Sequence, residues 1–517
     1  MGVVNIFLRE GFLLQPDLVN FIDEREASVI LELLKAIKAP RVISMAFLKQ
    51  NLASLIVTLN SFLELGKFDK DMIYNIRQKL NKIKRASNEE KKDREESEEK
   101  EKREQVSSEK DYLLTTKINE EIIKPKKIEV KHFLAFFKHR YEWFKELLRD
   151  RRELTNLTSI DKLPINNQNV SIIGIVAEKR ETKNRNVILT LEDGKGIVNV
   201  LINRDRAVYE KSNEIVEDEV IGVKGFGNRD IIFASDIIFP EAINVNNKSC
   251  ALDSNILFIS DTHVGSDKFL EPNLRKAIRW INCEEGSEKQ KEKAKKISHI
   301  FFVGDIVDGV GVYPGQENEL EIKDIIEQYK AAYEIFDEIR KDIKLIFIPG
   351  NHDATRLTEP QVFNSFSKPL QKLENAEFLP NPTYYSIYNY KLLLYHGYSF
   401  DYYANSVYSL KAANAYANPE HLLKFFLRKR HLAPTHGSTT YSPADEDFFI
   451  IKKIPDVFVT AHIHKSAVGY YNNIALISGS CWQSKTPYQE KFGHVPDPCK
   501  IPIFNTKTKK IQIIDFS

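Results

Sequence analysis

Five short blocks between residues 256 and 464 constrain this chain most. They are Ile256-Leu-Phe-Ile-Ser-Asp-Thr-His263, Phe301-Phe-Val-Gly-Asp-Ile-Val-Asp308, Ile348-Pro-Gly-Asn-His-Asp353, Leu393-Leu-Tyr-His-Gly397 and Val457-Phe-Val-Thr-Ala-His-Ile-His464. Each is apolar over the length of a strand, then passes through a Gly or small polar residue into Asp, Asn or His. In open α/β sheets, ligands gather beyond the carboxyl ends of the strands. Five strand ends that deliver only oxygen and nitrogen ligands suit hard or borderline divalent metals. Taken singly, Asp261 and His263 fit a strand-end turn with a hydrogen-bonded histidine. Five blocks in the order D-x-H, G-D-x-x-D, G-N-H-D, H-G and H-x-H leave that explanation little room.

The residue types suggest roles. Two metals about 3.5–4 Å apart can share a bridging carboxylate and a bridging water. Asp305 is expected to bridge, because a carboxylate has two oxygens and carries negative charge. Asp261, His263 and His464 would complete one metal; Asn351, His396 and His462 would complete the other. Asn351 offers a neutral amide oxygen, which limits negative charge beside an anionic substrate. His352 directly follows a ligand and can sit over the cluster without binding metal. It is the candidate to steady a phosphate and protonate a leaving oxygen. Asp353 is expected to hold the His352 ring in its productive tautomer.

Together the blocks resemble the calcineurin-like metallophosphoesterase superfamily. The text between them is more specific. Pro349-Gly-Asn-His-Asp-Ala-Thr-Arg-Leu-Thr-Glu-Pro-Gln361, Arg428-Lys-Arg-His-Leu-Ala-Pro434, Ile454-Pro-Asp-Val-Phe458 and Gly479-Ser-Cys-Trp-Gln483 resemble the small subunits of archaeal D-family DNA polymerase. The resemblance covers residues 128 to 517 and only weakly the first 85. It implies a di-metal 3′→5′ proofreading nuclease acting on single-stranded DNA or a primer 3′ end, and a separate large polymerase subunit as partner. It also makes manganese the first choice of metal; the Asn/His/Asp set admits Fe²⁺ or Zn²⁺ as well. Two alternatives stand beside it. One is a non-catalytic scaffold like the accessory B subunits of eukaryotic polymerases, and the presence of all seven ligand positions and His352 speaks against that. The other is a stand-alone metallophosphatase, which leaves the polymerase-like linking text unexplained.

The formal charge of +2 excludes a polycation, so contact with nucleic acid must come from local patches. Arg356 and the Arg428, Lys429, Arg430 cluster are the candidates, with a merely solvated face as the alternative for the cluster. The four cysteines, Cys250, Cys283, Cys481 and Cys499, form no C-x-x-C pair, which argues for reduced thiols in a cytosolic, cytoplasmic protein. No signal-peptide pattern opens the chain and no apolar run reaches membrane length, so no membrane is expected.

The expected fold is multidomain α/β. Residues 1–85 carry helical spacing in three stretches, about Pro16–Ala39, Val42–Leu65 and Phe68–Lys84, and predict a small N-terminal helical module. It is either a partner-docking head or a self-contained bundle. Residues 86–127 include Asn88 to Gln105 without one apolar residue, the composition of a charged flexible linker. Residues 128–160 predict a connecting helix from about Val130 to Arg152. Its Phe133, Phe136 and Phe137 loosely resemble a sliding-clamp-binding box, which would add a clamp partner; without the leading Gln they read better as a buried helix face.

Residues 161–250 switch to period two. Runs at Val170–Ala177, Asn186–Glu192, Gly196–Ile202, Glu219–Gly225 and Ile231–Phe239 predict a five-stranded barrel of the oligonucleotide-binding class, an OB-fold. Its cations Lys179, Arg180, Lys183, Arg185, Arg204 and Arg206 could face a single strand, or the barrel could be purely structural. Residues 251–517 are expected to form the metallophosphoesterase (nuclease) domain, an α/β/β/α sandwich, with Glu284 to Lys296 as a charged surface insertion.

Overall fold

The computed structural model describes residues 3–19, 21–81, 127–245, 248, 250–491 and 493–517. The chain divides into two compact units, Met1–Ser108 and Glu109–Ser517.

In the first unit the first two expected helical stretches are broken into shorter helices, and an unexpected helix precedes them. The helices are Val3–Arg9, Pro16–Val19, Ala27–Ala36, Met45–Gln50 and Leu52–Glu64, with a further helical stretch over 70–81. The second expected stretch breaks at Asn51, whose side-chain amide donates to the Phe47 carbonyl at 2.9 Å. Ser44 caps the helix before it, accepting from the Phe47 amide at 3.1 Å. Leu13–Leu14 and Val42–Ile43 pair as a short parallel bridge that the helical spacing did not predict. Phe7, Leu34, Leu59 and Ile73 are buried at the centre. The charged segment expected at 86–127 lies, up to residue 126, outside the described residues.

The second unit opens with the Val130–Arg149 helix. Its buried face carries Phe136, Phe144 and Leu148, so Phe136 serves packing. Arg140 on the same face is also buried; its Nε donates to Asp447 Oδ2 at 2.7 Å. Five strands follow: β1 (Gln168–Glu181), β2 (Val187–Glu192), β3 (Ile197–Ile202), β4 (Val220–Gly227) and β5 (Ile231–Ile238). They close into a barrel in the order β1-β2-β3-β5-β4. All pairs are antiparallel except β3 with β5. Apolar residues alternate inward, as in Val187, Leu189 and Leu191, which produces the period-two signal. β1 runs beyond its expected end because it pairs with β4 along its first half and β2 along its second, with a register shift between Val176 and Glu178.

The remainder holds two sheets. The first contains β6 (Asn255–Ile259), β7 (Ile297–Val303), β8 (Lys344–Ile348) and β9 (Ala376–Phe378), and later β15 (Lys500–Asn505) and β16 (Ile511–Asp515). Its order is β9-β8-β7-β6-β15-β16, parallel from β9 to β6. The second contains β10 (Thr383–Ile387), β11 (Tyr390–Tyr395), β12 (Val457–Thr460), β13 (Ala467–Tyr471) and β14 (Ile474–Ser478), in the order β10-β11-β12-β14-β13. Here β11, β12 and β14 are parallel.

The continuous apolar runs follow from burial on both faces. Ile256, Phe258, Phe301 and Ile346 pack against Leu392, Leu394, Val457 and Ile477 of the other sheet. The alternate residues Leu257, Ile300, Phe302 and Phe347 pack on helices Glu271–Ile281 and Ile325–Asp337. On the far side, Leu393, Tyr395, Phe458 and Leu476 pack on helices Phe400–Ser406 and Glu420–Lys429. The result is four layers, helix, sheet, sheet, helix. Among the described residues no helix is long and apolar enough to cross a membrane, and all four cysteines are free.

Candidate metal centre

The five blocks end at the carboxyl ends of β6, β7, β8, β11 and β12, which are parallel strands drawn from both sheets. Asp261 and His263 follow β6, Asp305 follows β7, Asn351 follows β8, His396 directly follows β11, and His462 and His464 follow β12. The turns there are unusual. Asp261, His263, Asp305, His462 and His464 all adopt φ between 48° and 70°, a left-handed conformation that non-glycine residues rarely hold. Such residues persist only where the surroundings over-determine them, and they cluster at functional sites. The neighbouring glycines allow close approach. A Cβ on Gly350 would lie 2.2 Å from Asp305 Oδ1, and one on Gly304 would lie 2.2 Å from His396 Nδ1.

The expected ligands converge in two sets. Asp261, His263 and His464 bring ligand atoms within 4.8 Å of one another, and so do Asp305, His396 and His462. His263, Asp308 and His352 form a third group whose ligand atoms also lie within 4.8 Å of one another. His464 Nε2 is 3.1 Å from His263 Nε2 and 3.5 Å from Asp261 Oδ1. In the second set, His396 Nε2 lies 3.3 Å from Asp305 Oδ2 and 3.0 Å from Asn351 Oδ1. Asp305 Oδ2 also lies 3.9 Å from His263 Nε2, which places this carboxylate between the sets.

Partners behind the ligands fix which nitrogen faces the cluster. His396 Nδ1 donates to the Val303 carbonyl at 3.0 Å, so Nε2 is the nitrogen that faces the cluster. His263 Nδ1 lies 2.9 Å from Asp308 Oδ1, which frees its Nε2 in the same way. Asp308 is steadied in turn by Gln316 and Gln483, each donating from Nε2 at 3.1 Å. His462 Nε2 is held 3.0 Å from Asp401 Oδ2, leaving Nδ1 as its available nitrogen. Asp308 and Asp401 received no role from the sequence. Asp308 is signalled only as the second acid of G-D-x-x-D, and Asp401 stands in no motif.

The electrostatics favour a cation. Burial would raise the Asp305 carboxyl, but the His396, His352 and His263 rings hold it well below the usual range. Burial would likewise raise Asp261, and His464 and His396 together hold it below the usual value. Burial would depress His396, yet Asp305 and Asp261 hold its imidazole up to about 10. Among the described residues no Lys or Arg forms an ion pair with either carboxylate; their ion-pair partners are imidazoles. Buried carboxylates and imidazole nitrogens aimed at common points are the donor set a divalent cation fits.

His352 stands beside this cluster. Its ring meets His263 edge-on at 4.8 Å, its amide donates to Asp305 Oδ1 at 2.8 Å, and its Nδ1 donates to the Asp308 carbonyl at 2.7 Å. The expected contact from Asp353 to this ring does not exist. Asp353 instead accepts from the amides of Gly350 at 2.9 Å and Ile306 at 3.2 Å and from the Tyr329 hydroxyl at 3.1 Å. It ties the β7 and β8 turns together, and the Asp308 carbonyl fixes the His352 tautomer. A cleft of about 380 Å³ opens over the cluster, walled by Tyr313, Tyr398, Tyr416 and His494.

The expected phosphate contacts need correction. Lys429 is buried, with Nζ 2.8 Å from Glu219 Oε2 and 3.8 Å above the Phe239 ring. Arg430 is buried and donates to the Ile451 and Lys452 carbonyls. Arg428 pairs with Glu214 at 2.6 Å and Glu241 at 3.5 Å. These cations clip the Glu420–Lys429 helix to the barrel and the connecting helix. Arg356, half-buried, turns its Nε back to the Thr358 and Pro360 carbonyls. Charge alone suggested a solvent-facing patch; burial takes Lys429 and Arg430 inside the structure, whereas Arg428 and Arg356 stay partly exposed.

Residues 256–468 match the family of DNA polymerase alpha/epsilon B subunits. The DNA polymerase II small subunit of Methanothermobacter thermautotrophicus is 39% identical over 75% of this chain and 80% of its own length. That of Archaeoglobus fulgidus is 36% identical over 74% of this chain and 77% of its own. A solved archaeal phosphodiesterase aligns at 16% identity over 50% of this chain and 98% of that one, with a TM-score of only 0.26.

Proposed function

Since the chain belongs to the DNA polymerase II small-subunit family, we propose that its histidine–carboxylate cluster is a di-metal 3′→5′ exonuclease site that removes nucleotides from primer ends. The observation that carries this reading is Asp305, whose Oδ2 stands 3.3 Å from one ligand set and 3.9 Å from the other. Asp261, His263 and His464 would hold one ion; Asn351, His396 and His462 would hold the second; Asp305 would serve both. Manganese is the first choice, with Fe²⁺ or Zn²⁺ accommodated by the same donors. Bound there, divalent ions supply Lewis acidity toward a phosphoryl oxygen and lower the pKa of water for attack.

The chain's own residues do the rest. Asp308 and Asp401 orient His263 and His462. His352, with Nδ1 committed to the Asp308 carbonyl, presents Nε2 as its other nitrogen; as the imidazolium, protonated at both nitrogens, it would deliver the Nε2 proton to the leaving 3′ oxygen and be left as the Nδ1–H tautomer. The aromatic walls of the cleft restrict how a strand end enters.

The strand order of the barrel, with its single parallel β3–β5 pair, supports an OB-fold over residues 161–250 beside a calcineurin-like phosphoesterase domain over 251–517. The chain's partner in this reading is the large polymerase subunit. The test is to incubate the purified protein with Mn²⁺ and single-stranded DNA labelled at either end. A ladder receding from the 3′ end is expected. Cleavage of small phosphoesters with no degradation of DNA would make the site a phosphatase instead.

A further inference from the structure

The barrel carries an outward row of apolar side chains that neither the metal centre nor the barrel core uses. Strand register sets it side by side. Phe226 on β4 is the partner of Phe233 on β5, Phe233 of Leu201 on β3, and Leu201 of Ile188 on β2. Adjacent strands lie about 4.8 Å apart, so the row is continuous across four strands. Phe226 and Phe233 are 48% and 47% exposed, whereas their chain neighbours Gly225, Gly227, Ile232 and Ala234 are buried. Two large aromatic side chains this exposed, in direct register, give the barrel nothing as packing.

The row ends among cations. Arg180 on β1 is the register partner of Ile188. Lys183 and Arg185 stand on the β1–β2 turn, and Arg204 and Arg206 follow β3; all five are exposed. The two segments are tied together, since the Arg204 amide donates to Asn186 Oδ1 at 3.0 Å. None of the five forms an ion pair among the described residues, although Lys211 and Arg229 on the same barrel do pair, with Asp236 and Asp230. Glu178, Glu181 and Asp205 are interspersed, which leaves the excess positive. Lys179 does not belong to this group. Its Nζ turns inward to the Ser212 and Ile215 carbonyls at 2.7 and 2.8 Å.

We infer that this row is a binding face for single-stranded DNA, with bases stacked on Phe226 and Phe233 and phosphates running over the Arg180, Arg185 and Arg204 side. Flat exposed rings beside unpaired cations match a polymer with aromatic faces and a regularly anionic backbone. A duplex hides its base faces, so the rings confer a preference that cations alone could not. The site lies on the barrel and stands whether or not the metal centre is a nuclease.

The test uses the full chain in EDTA, which prevents degradation, with fluorescence anisotropy of labelled oligo(dT) and of a duplex. The double variant Phe226→Ala/Phe233→Ala is expected to weaken oligo(dT) about ten-fold or more, because stacking on one aromatic is typically worth that much. Duplex binding and salt dependence should be unchanged. Phe226→Tyr/Phe233→Tyr should bind as the parent does, and Arg180→Ala/Arg204→Ala should flatten the salt dependence. Unaltered oligo(dT) affinity in the double alanine variant overturns the inference. So does loss of the complex with the large polymerase subunit at unaltered oligo(dT) affinity, which would make the row a protein-docking surface.

Discussion

His352 Nδ1 donates to the main-chain carbonyl of Asp308 at 2.7 Å, so a carbonyl that can only accept dictates which nitrogen of this histidine is free. The relationship separates His352 from the ligands. In the proposed ligand set, replacing it removes no donor atom, and its side chain is only partly buried. His352→Ala is therefore expected to retain its metal and its melting temperature while losing about 10²–10⁴-fold in turnover. Asp305→Asn should lose metal and activity together. Metal content by mass spectrometry beside a nuclease assay separates the two. A His352→Ala protein stripped of metal would make His352 a ligand and end its role as proton donor.

Glu359, which is not among the proposed ligands, yields a pH prediction, although Tyr395 and His396 both act on its carboxyl. It is fully buried, and Thr439 Oγ1 donates to its Oε2 at 2.5 Å. Burial pushes its carboxyl up to about 7. The folded state thus prefers the protonated acid. Its contribution is fully present below the unfolded value near 4.5 and is lost as pH rises through about 7. Glu359→Gln stays neutral throughout. It should match the parent near pH 4.5 and exceed it above pH 8 by about 3 kcal/mol. Thermal melts of both proteins across that range read the difference directly, and parallel curves would show that Glu359 is not the titrating group.

The candidate metal cluster was legible because such chemistry restricts residue type and the fold restricts position. A ligand must be Asp, Asn or His, and it must stand just past a buried parallel strand, so Asp261 through His464 are visible as a pattern. The orienting groups are less constrained. A histidine can be held by a carboxylate or a carbonyl from anywhere nearby, which is why Asp401, on the Phe400–Ser406 helix, carries no signal. The same freedom explains the misreading of Asp353, whose place beside His352 in sequence says nothing of where its carboxylate points. Alternation exposed the barrel strands, but the extension of β1 depends on a bulge and a second partner strand that no local pattern records. For Arg428, Lys429 and Arg430 the sequence showed charge, and only the packing showed that Glu214, Glu219 and Glu241 meet the first two and main-chain carbonyls the third.

Arg140 tests how the connecting helix is held. Its guanidinium binds Asp447 at 2.7 Å and the Asp218 carbonyl at 2.9 Å, while Asp447 also receives His431 Nε2 at 2.9 Å. All three side chains are buried. Removing one partner of a buried pair leaves an uncompensated charge, which typically costs about 3–5 kcal/mol. Arg140→Met should lower stability by that order, and Arg140→Met/Asp447→Leu should recover part of it. Denaturant midpoints of the parent, Arg140→Met, Asp447→Leu and the double variant decide this. If the double variant were as unstable as the sum of the single ones, the coupling between the two groups would be absent.

The final prediction concerns the pairing state of the substrate. The cluster lies at the floor of a cleft walled by Tyr313, Tyr398, Tyr416 and His494, with Asp305 and His396 fully buried beneath. A scissile phosphate reaches it only if its strand separates from any complement. Opening a stacked base pair costs on average about 1.4 kcal/mol, equivalent to roughly ten-fold per pair. A mispaired 3′ terminus avoids part of that cost, and a single strand avoids all of it. Degradation should therefore be fastest on single strands, slower on a mismatched primer terminus and slowest on a matched one. The rates should fall as salt rises, because the backbone is gripped mainly through its phosphates. One labelled primer presented in the three pairing states measures this ordering. Equal rates on all three would show that the site does not discriminate primer ends and would remove the case for proofreading.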